Sequence, residues 1–164
     1  MTIDLATSEA ATDLPDRCHP ACFACGVRNG DGLGLRFTEE SDGTVVGSFA
    51  CDGKYQGYPD RLHGGVVAML ADAAMTHWLF LHRISAVTAK LKLRFPCPVE
   101  VGVVATVRAA VVKNSPPAFL LKAEISQAGT VRVTADGLFV EQQLSGKTGS
   151  PAMYSSSGPF HQGS

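Results

Sequence analysis

The chain has 164 residues, 45% of them hydrophobic and 18% charged, with a formal net charge of −1 at pH 7. That length suits one domain with a substantial core and leaves little room for a separate cofactor module. The balanced charge offers no global attraction for nucleic acid or an anionic membrane surface, so an anionic partner has to be held by local groups.

Residues 1–17 are polar, rich in Ala and Thr and without apolar periodicity, which predicts a mobile leader. The start MTIDLATSEAATDLPD has neither a basic opening nor an apolar run, so it does not read as a secretory signal, and a cytoplasmic location is the default expectation. The five cysteines are then read as thiols or metal ligands rather than a disulfide framework. Four of the next eight residues, Cys18, His19, Cys22 and Cys25, form a C-H-x-x-C-x-x-C cluster that could ligate a structural zinc. Adjacent Cys18 and His19 would have difficulty reaching one ion, leaving Cys51 or a second subunit as the alternative source of a fourth ligand. The competing reading makes Cys22 and Cys25 small buried residues of the first loop. No cofactor and no catalytic metal is expected.

Leu33, Leu35 and Phe37, then Val45, Gly47 and Phe49, alternate at period two around a Ser41–Gly43 turn signal, which predicts a hairpin. A Gly/Pro-rich loop over Tyr55–Leu62 leads into a helix predicted from Gly64 to about Leu81, apolar nearly all round and hence buried. Asp72 and His77 interrupt it, so no stretch reaches the roughly 18 uncharged apolar residues of a membrane span. Four β-branched or alternating runs follow: Ala86–Phe95, Val101–Lys113, Ala118–Gln127 and Thr130–Gln142. Pro96 and Pro98, Asn114–Pro117, and Ala128 with Gly129 separate them. Short links with no second helix favour antiparallel neighbours, giving an α+β domain over residues 18–143 in which one buried helix is wrapped by a five- or six-stranded antiparallel sheet. Residues 144–164, rich in Ser, Gly and Pro, are expected to form a flexible tail.

Chemistry concentrates in Arg61–Trp78. A carboxylate inside an apolar helix is costly unless a partner or polar cavity stabilises it, so Asp72 is either a site residue or a helix residue turned to solvent or paired with a lysine. Thr76, four residues on, shares its face and could orient a water or leaving thiol, or simply hydrogen-bond its own helix. The His63-Gly64-Gly65 start offers free N–H groups at the positive end of the helix dipole, suited to a developing oxyanion. Gly65 and Asp72 are separated by ~10.5 Å along one helix at 1.5 Å per residue, so one thioester carbonyl cannot touch both. If both act on the same substrate they come from different subunits, which makes a two-fold dimer part of the hypothesis.

This segment resembles the signature of hotdog-fold acyl-CoA thioesterases, especially the PaaI-like (phenylacetate-pathway) group, in which an HGG helix start is followed by an acidic residue nine positions after the His, as His63 and Asp72 are here. The likeness runs from about Cys22 to Val140 and includes CFACGVRNGDGLGLRF and RFPCPVEVG. The resemblance implies a hotdog fold, a homodimer assembling to a homotetramer, and hydrolysis of an acyl-CoA. It implies that Asp72 acts as general base or nucleophile, that the Gly65 amide binds the carbonyl oxygen, and that His63 and Gly64 shape the helix start, although His63 could equally just brace the loop by hydrogen bonds. Relatives of the 4-hydroxybenzoyl-CoA type place a Gln six residues before the His. That position is Gly57 here and Gln56 stands one earlier, so Gln56 is only a candidate substrate contact. Lys90, Lys92 and Arg94 share one face of a strand and could hold the CoA nucleotide arm, or form a plain solvated sheet face. Met69, Met75 and Trp78 are candidate pocket walls, or simple core. The alternatives to hydrolysis are a non-catalytic acyl-CoA binding module and an acyl-thioester dehydratase, the latter matching the HGG start less well.

Overall fold

One long helix and six strands form in the order β1 (Phe37–Glu39), β2 (Val45–Ala50), α1 (Gly64–Leu81), β3 (Ala86–Arg94), β4 (Val104–Ser115), β5 (Ala118–Gln127) and β6 (Thr130–Glu141), in a computed structural model that describes residues 19–142. The expected leader, Cys18 and the expected tail at residues 144–164 lie outside the described residues. Every strand pairing among the described residues is antiparallel, in the spatial order β1-β2-β4-β5-β6-β3. Ala128 and Gly129 link β5 to β6 with φ of 48° and 77°, the left-handed pair that a two-residue hairpin turn of matching twist requires. β3 pairs only with β6, so it forms one edge of the sheet among the described residues.

Period-two alternation on the strands turns Phe119, Leu121, Ala123 and Ile125 of β5, and Val133, Ala135 and Phe139 of β6, into one buried cluster with Leu70, Ala74, Met75 and Leu79 of α1. Removing each large side chain from water stabilises by roughly 1.5–3 kcal/mol, which sets this face as the core. Gly137 marks a close approach of helix and sheet. A Cβ there would come 2.8 Å from Met75 Sδ and 2.7 Å from Phe139 Cε2. By length and hydropathy α1 could cross a membrane, but 56% of its residues are buried inside the fold, as for a core helix.

Two boundaries differ from the sequence expectation. Leu33 and Leu35 precede β1, although Leu35 is buried; the loop is held instead by backbone bonds from Leu33 N–H to Phe23 O (2.8 Å) and Leu35 N–H to Ala24 O (2.9 Å). β4 begins at Val104 rather than Val101, because Gly102 adopts φ of 82° and Gln127, 1% exposed, seizes the turn. Gln127 Nε2 donates to the carbonyls of Glu100 (2.8 Å) and Val103 (2.9 Å), and its Oε1 accepts from Glu100 N–H (2.9 Å). That buried amide has both its functions satisfied, so its burial carries little penalty.

Candidate active site

Burial around α1 is uneven. Ten of its residues are buried and Val66 and Leu81 near its ends are partly buried against the core, whereas Gly64 and Gly65 are exposed and Ala68, Met69, Asp72 and Thr76 are only partly covered. Spacings of three, four and seven put Gly65, Met69 (with Ala68), Asp72 and Thr76 along one side, so an otherwise enclosed helix keeps a single open stripe. The two sequence candidates for oxyanion donor and base, Gly65 and Asp72, both lie on it.

At the stripe's centre Asp72 Oδ1 accepts a 2.7 Å hydrogen bond from Thr88 Oγ1 on the edge strand β3. Burial pushes the Asp72 carboxyl above its ordinary range, opposed by the Thr88 hydrogen bond and by the charge of His19. Burial pushes the His19 imidazole down, against the pull of Asp72.

Thr88 is a site residue that sequence reasoning missed. Counting alternately back from Lys90 turns Thr88 outward. The register, however, slips between Thr88 and Lys90, so that Thr88 faces buried Phe139 while Lys90 faces Leu138 on the outer side. A β-bulge at Ala89 therefore re-aims Thr88 at the helix. The only signal in the sequence was a hydroxyl residue close to the start of a strand that follows the acidic helix.

At the helix start, His63 is the N-cap: its Nδ1 accepts from Gly65 N–H at 3.0 Å, and its own N–H donates to Tyr55 O at 2.9 Å. A Cβ on Gly65 would lie 3.1 Å from His63 Nδ1, and one on Gly57 3.2 Å from His63 Cδ2, so the two glycines make room for the ring. The amide expected to bind an oxyanion is thus engaged by the imidazole within the subunit. Gly57, Tyr58, Leu62, His63 and Gly64 line a cavity of about 380 Å³ at this end of the helix. Gln56 is joined to Leu62 through an isolated β-bridge.

Lys90, Lys92 and Arg94 are exposed on the outer face of β3, with Leu91 and Leu93 partly buried on the helix side. Lys90 and Lys92 line a second cavity of about 340 Å³ with Val112, Leu120 and Leu138. Within one subunit the sheet separates these cations from Asp72, so the structure does not bring them together. Of the candidate pocket walls, Met75 is fully buried and Trp78, whose Nε1 donates to Gly43 O at 3.1 Å, ties the helix to the β1–β2 turn; both are core. Met69 remains on the open stripe.

In the first loop His19, Cys22 and Cys25 come together, their ligand atoms all within 4.8 Å of one another. Cys51 is buried elsewhere, beside Gln127 (Sγ to Nε2 3.7 Å).

Residues 60–134, which hold α1 and most of the sheet, match the family model of the thioesterase superfamily. No curated protein sequence matches the chain. Among solved structures, a thioesterase superfamily protein superposes with a TM-score of 0.67 at 28% identity, over 71% of this chain and 61% of that one. This chain therefore spans less than two thirds of that relative. The Escherichia coli PaaI protein of the phenylacetic acid degradation operon superposes at 0.63, with 20% identity over 68% of this chain and 81% of its own. A Streptococcus mutans protein bound to acetyl-CoA gives 0.62, with 14% identity over 66% and 88%. At such identities the last two speak for the fold alone. One helix against a six-stranded antiparallel sheet is the hotdog architecture shared with these structures, and the stretch over residues 60–134 is similar to the thioesterase superfamily.

Proposed function

We propose that this protein hydrolyses acyl-CoA thioesters as a homodimer, with Asp72 as general base or nucleophile. One observation carries the proposal: a carboxylate whose protonation burial favours sits on the single open stripe of an otherwise buried helix and is oriented by Thr88 from an edge strand. A raised carboxyl pKa makes Asp72 a stronger proton acceptor than an ordinary surface aspartate, as activation of water requires. The edge position of β3 supports the dimer, because pairing with the same strand of a second copy would bring both open stripes to one interface. The first-turn amides of one helix would then face Asp72 of the other. The acetyl-CoA held by the Streptococcus mutans fold relative supports an acyl-CoA ligand.

In this reading the substrate carbonyl displaces the His63 ring from the Gly65 N–H, and that amide stabilises the oxyanion at the positive end of the helix. As a base, Asp72 takes a proton from water while the water oxygen bonds to the carbonyl carbon. The tetrahedral intermediate then breaks its C–S bond, and the proton passes to the departing CoA sulfur. As a nucleophile, Asp72 bonds to the carbonyl carbon itself, expels the thiolate and leaves an anhydride that water cleaves. Thr76, one turn from Asp72, would contact the water or the thiol. The CoA nucleotide arm would meet Lys90, Lys92 and Arg94 only after passing around the β3 edge, and Gln56 lies beside the helix start.

Thiol release from short-chain, long-chain and aromatic acyl-CoAs, run with wild type and Asp72→Asn, tests this. Loss of turnover in a folded variant is expected. Undiminished hydrolysis by Asp72→Asn refutes the assignment, whereas wild-type binding without turnover across the panel favours an acyl-CoA binding module. Single turnover in oxygen-18 water separates the two routes, since the anhydride can place solvent oxygen in Asp72.

A further inference from the structure

The loop before β1 has no helix or strand of its own over residues 19–36, yet it is internally hydrogen-bonded. Cys22 N–H donates to His19 O (3.1 Å) and Gly26 N–H to Cys22 O (2.8 Å), folding the H-x-x-C-x-x-C-G segment back on itself. A Cβ on Gly26 would lie 2.4 Å from Cys22 N and 2.7 Å from the carbonyl oxygens of Cys22 and Pro20, so only glycine closes this turn. The turn gathers one imidazole and two thiols within 4.8 Å. Around a tetrahedral zinc, bonds of about 2.3 Å to sulfur and 2.0 Å to nitrogen imply ligand spacings of about 3.5–3.8 Å, a contraction that side-chain rotation alone can supply. The imidazole is also unsatisfied among the described residues: His19 Nδ1 is buried there with no hydrogen-bond partner, an arrangement that costs free energy unless some ligand meets it.

We propose that His19, Cys22 and Cys25 are three ligands of a bound zinc ion that locks the turn of the first loop where it packs against α1. The remaining coordination position falls to water or to a donor outside the described residues. Binding is balanced as Zn²⁺ displacing two thiol protons, so each ion taken up releases two protons and leaves two Zn–S bonds and one Zn–N bond. The donor set suits zinc: soft thiolates with an imidazole exclude the oxygen-seeking cations magnesium and calcium. The site lies against the second half of α1, where the His19 ring packs edge-on against Phe80 with centroids 4.8 Å apart. It is a positioning device for the loop, and the proposal stands whether or not the chain is a thioesterase.

Untagged protein, purified under reducing conditions without chelator, is expected to carry about one zinc per chain by elemental analysis. Cobalt(II) in its place should give intense tetrahedral visible bands and thiolate charge-transfer absorption. Cys22→Ser and Cys25→Ser should each hold less than about a tenth of the wild-type metal. Should those variants fail to fold, the wild-type chain stripped by a strong chelator and titrated with zinc against a chromophoric competitor gives the same answer, with Tm rising as zinc is restored. Folded, reduced wild-type protein that takes up neither zinc nor tetrahedral cobalt overturns the proposal. Serine variants that keep the full metal content also overturn it.

Discussion

The Thr88 to Asp72 hydrogen bond is the contact on which the site's electrostatics turn, and Thr88→Val removes its donor while keeping a β-branched side chain of nearly the same shape. At 2.7 Å the contact lies within the range of a hydroxyl donating to a carboxylate. Hydrogen bonds to charged groups contribute about 1.5–3 kcal/mol, and the partly covered setting argues for the lower end, about 1.5 kcal/mol, or roughly one pK unit. The hydroxyl stabilises the carboxylate, so losing it moves the Asp72 carboxyl further in the direction burial already drives it, upward. The acid limb of the kcat/KM profile should therefore shift to higher pH by about one unit in Thr88→Val, and Thr88→Ser should restore most of it. Thiol-release kinetics across a pH series measures this. A Thr88→Val protein with the wild-type rate and an unmoved acid limb would show that Thr88 does not act on the Asp72 carboxylate.

Because the folded-state carboxyl of Asp72 lies above its ordinary value, the stability linked to its neutral form is present below the ordinary carboxylate range and lost as pH rises through the folded value. Asp72→Asn should accordingly melt higher than wild type at pH 7–8, with the two converging in strong acid; thermal unfolding at several pH values decides it, and a lower Tm for the variant at neutral pH would contradict the burial argument. Gly65→Ala places a Cβ 3.1 Å from His63 Nδ1. We expect it to retain Tm within about 2 °C, since alanine favours helix, but to lose turnover at least about tenfold because the close approach to the amide is blocked. Gln127→Leu strips the Glu100 and Val103 groups of their partner and should lower stability by about 2–4 kcal/mol in urea unfolding.

The span of α1 and the four long strands were legible in the sequence because they depend on local signals: an apolar run dense in Ala, Leu and Met, period-two alternation, and Pro or Gly breaks between runs. The same locality made Asp72 conspicuous and fixed its distance from Gly65, since both sit on one helix. Tertiary structure alone decided the rest. Whether Thr88 turns toward Asp72 depends on a register slip at Ala89 that is set by pairing with β6, residues more than forty positions away. Gln127 trims the start of β4 through bonds to a turn 24 to 27 residues earlier. The open stripe on α1 exists because the sheet covers the other faces and stops at β3, and the imidazole of His63 reaches the Gly65 amide because the preceding loop is pinned to Tyr55. Periodicity tells a residue which side of its own element it occupies, but which partner that side meets is settled by long-range backbone pairing that no local pattern encodes.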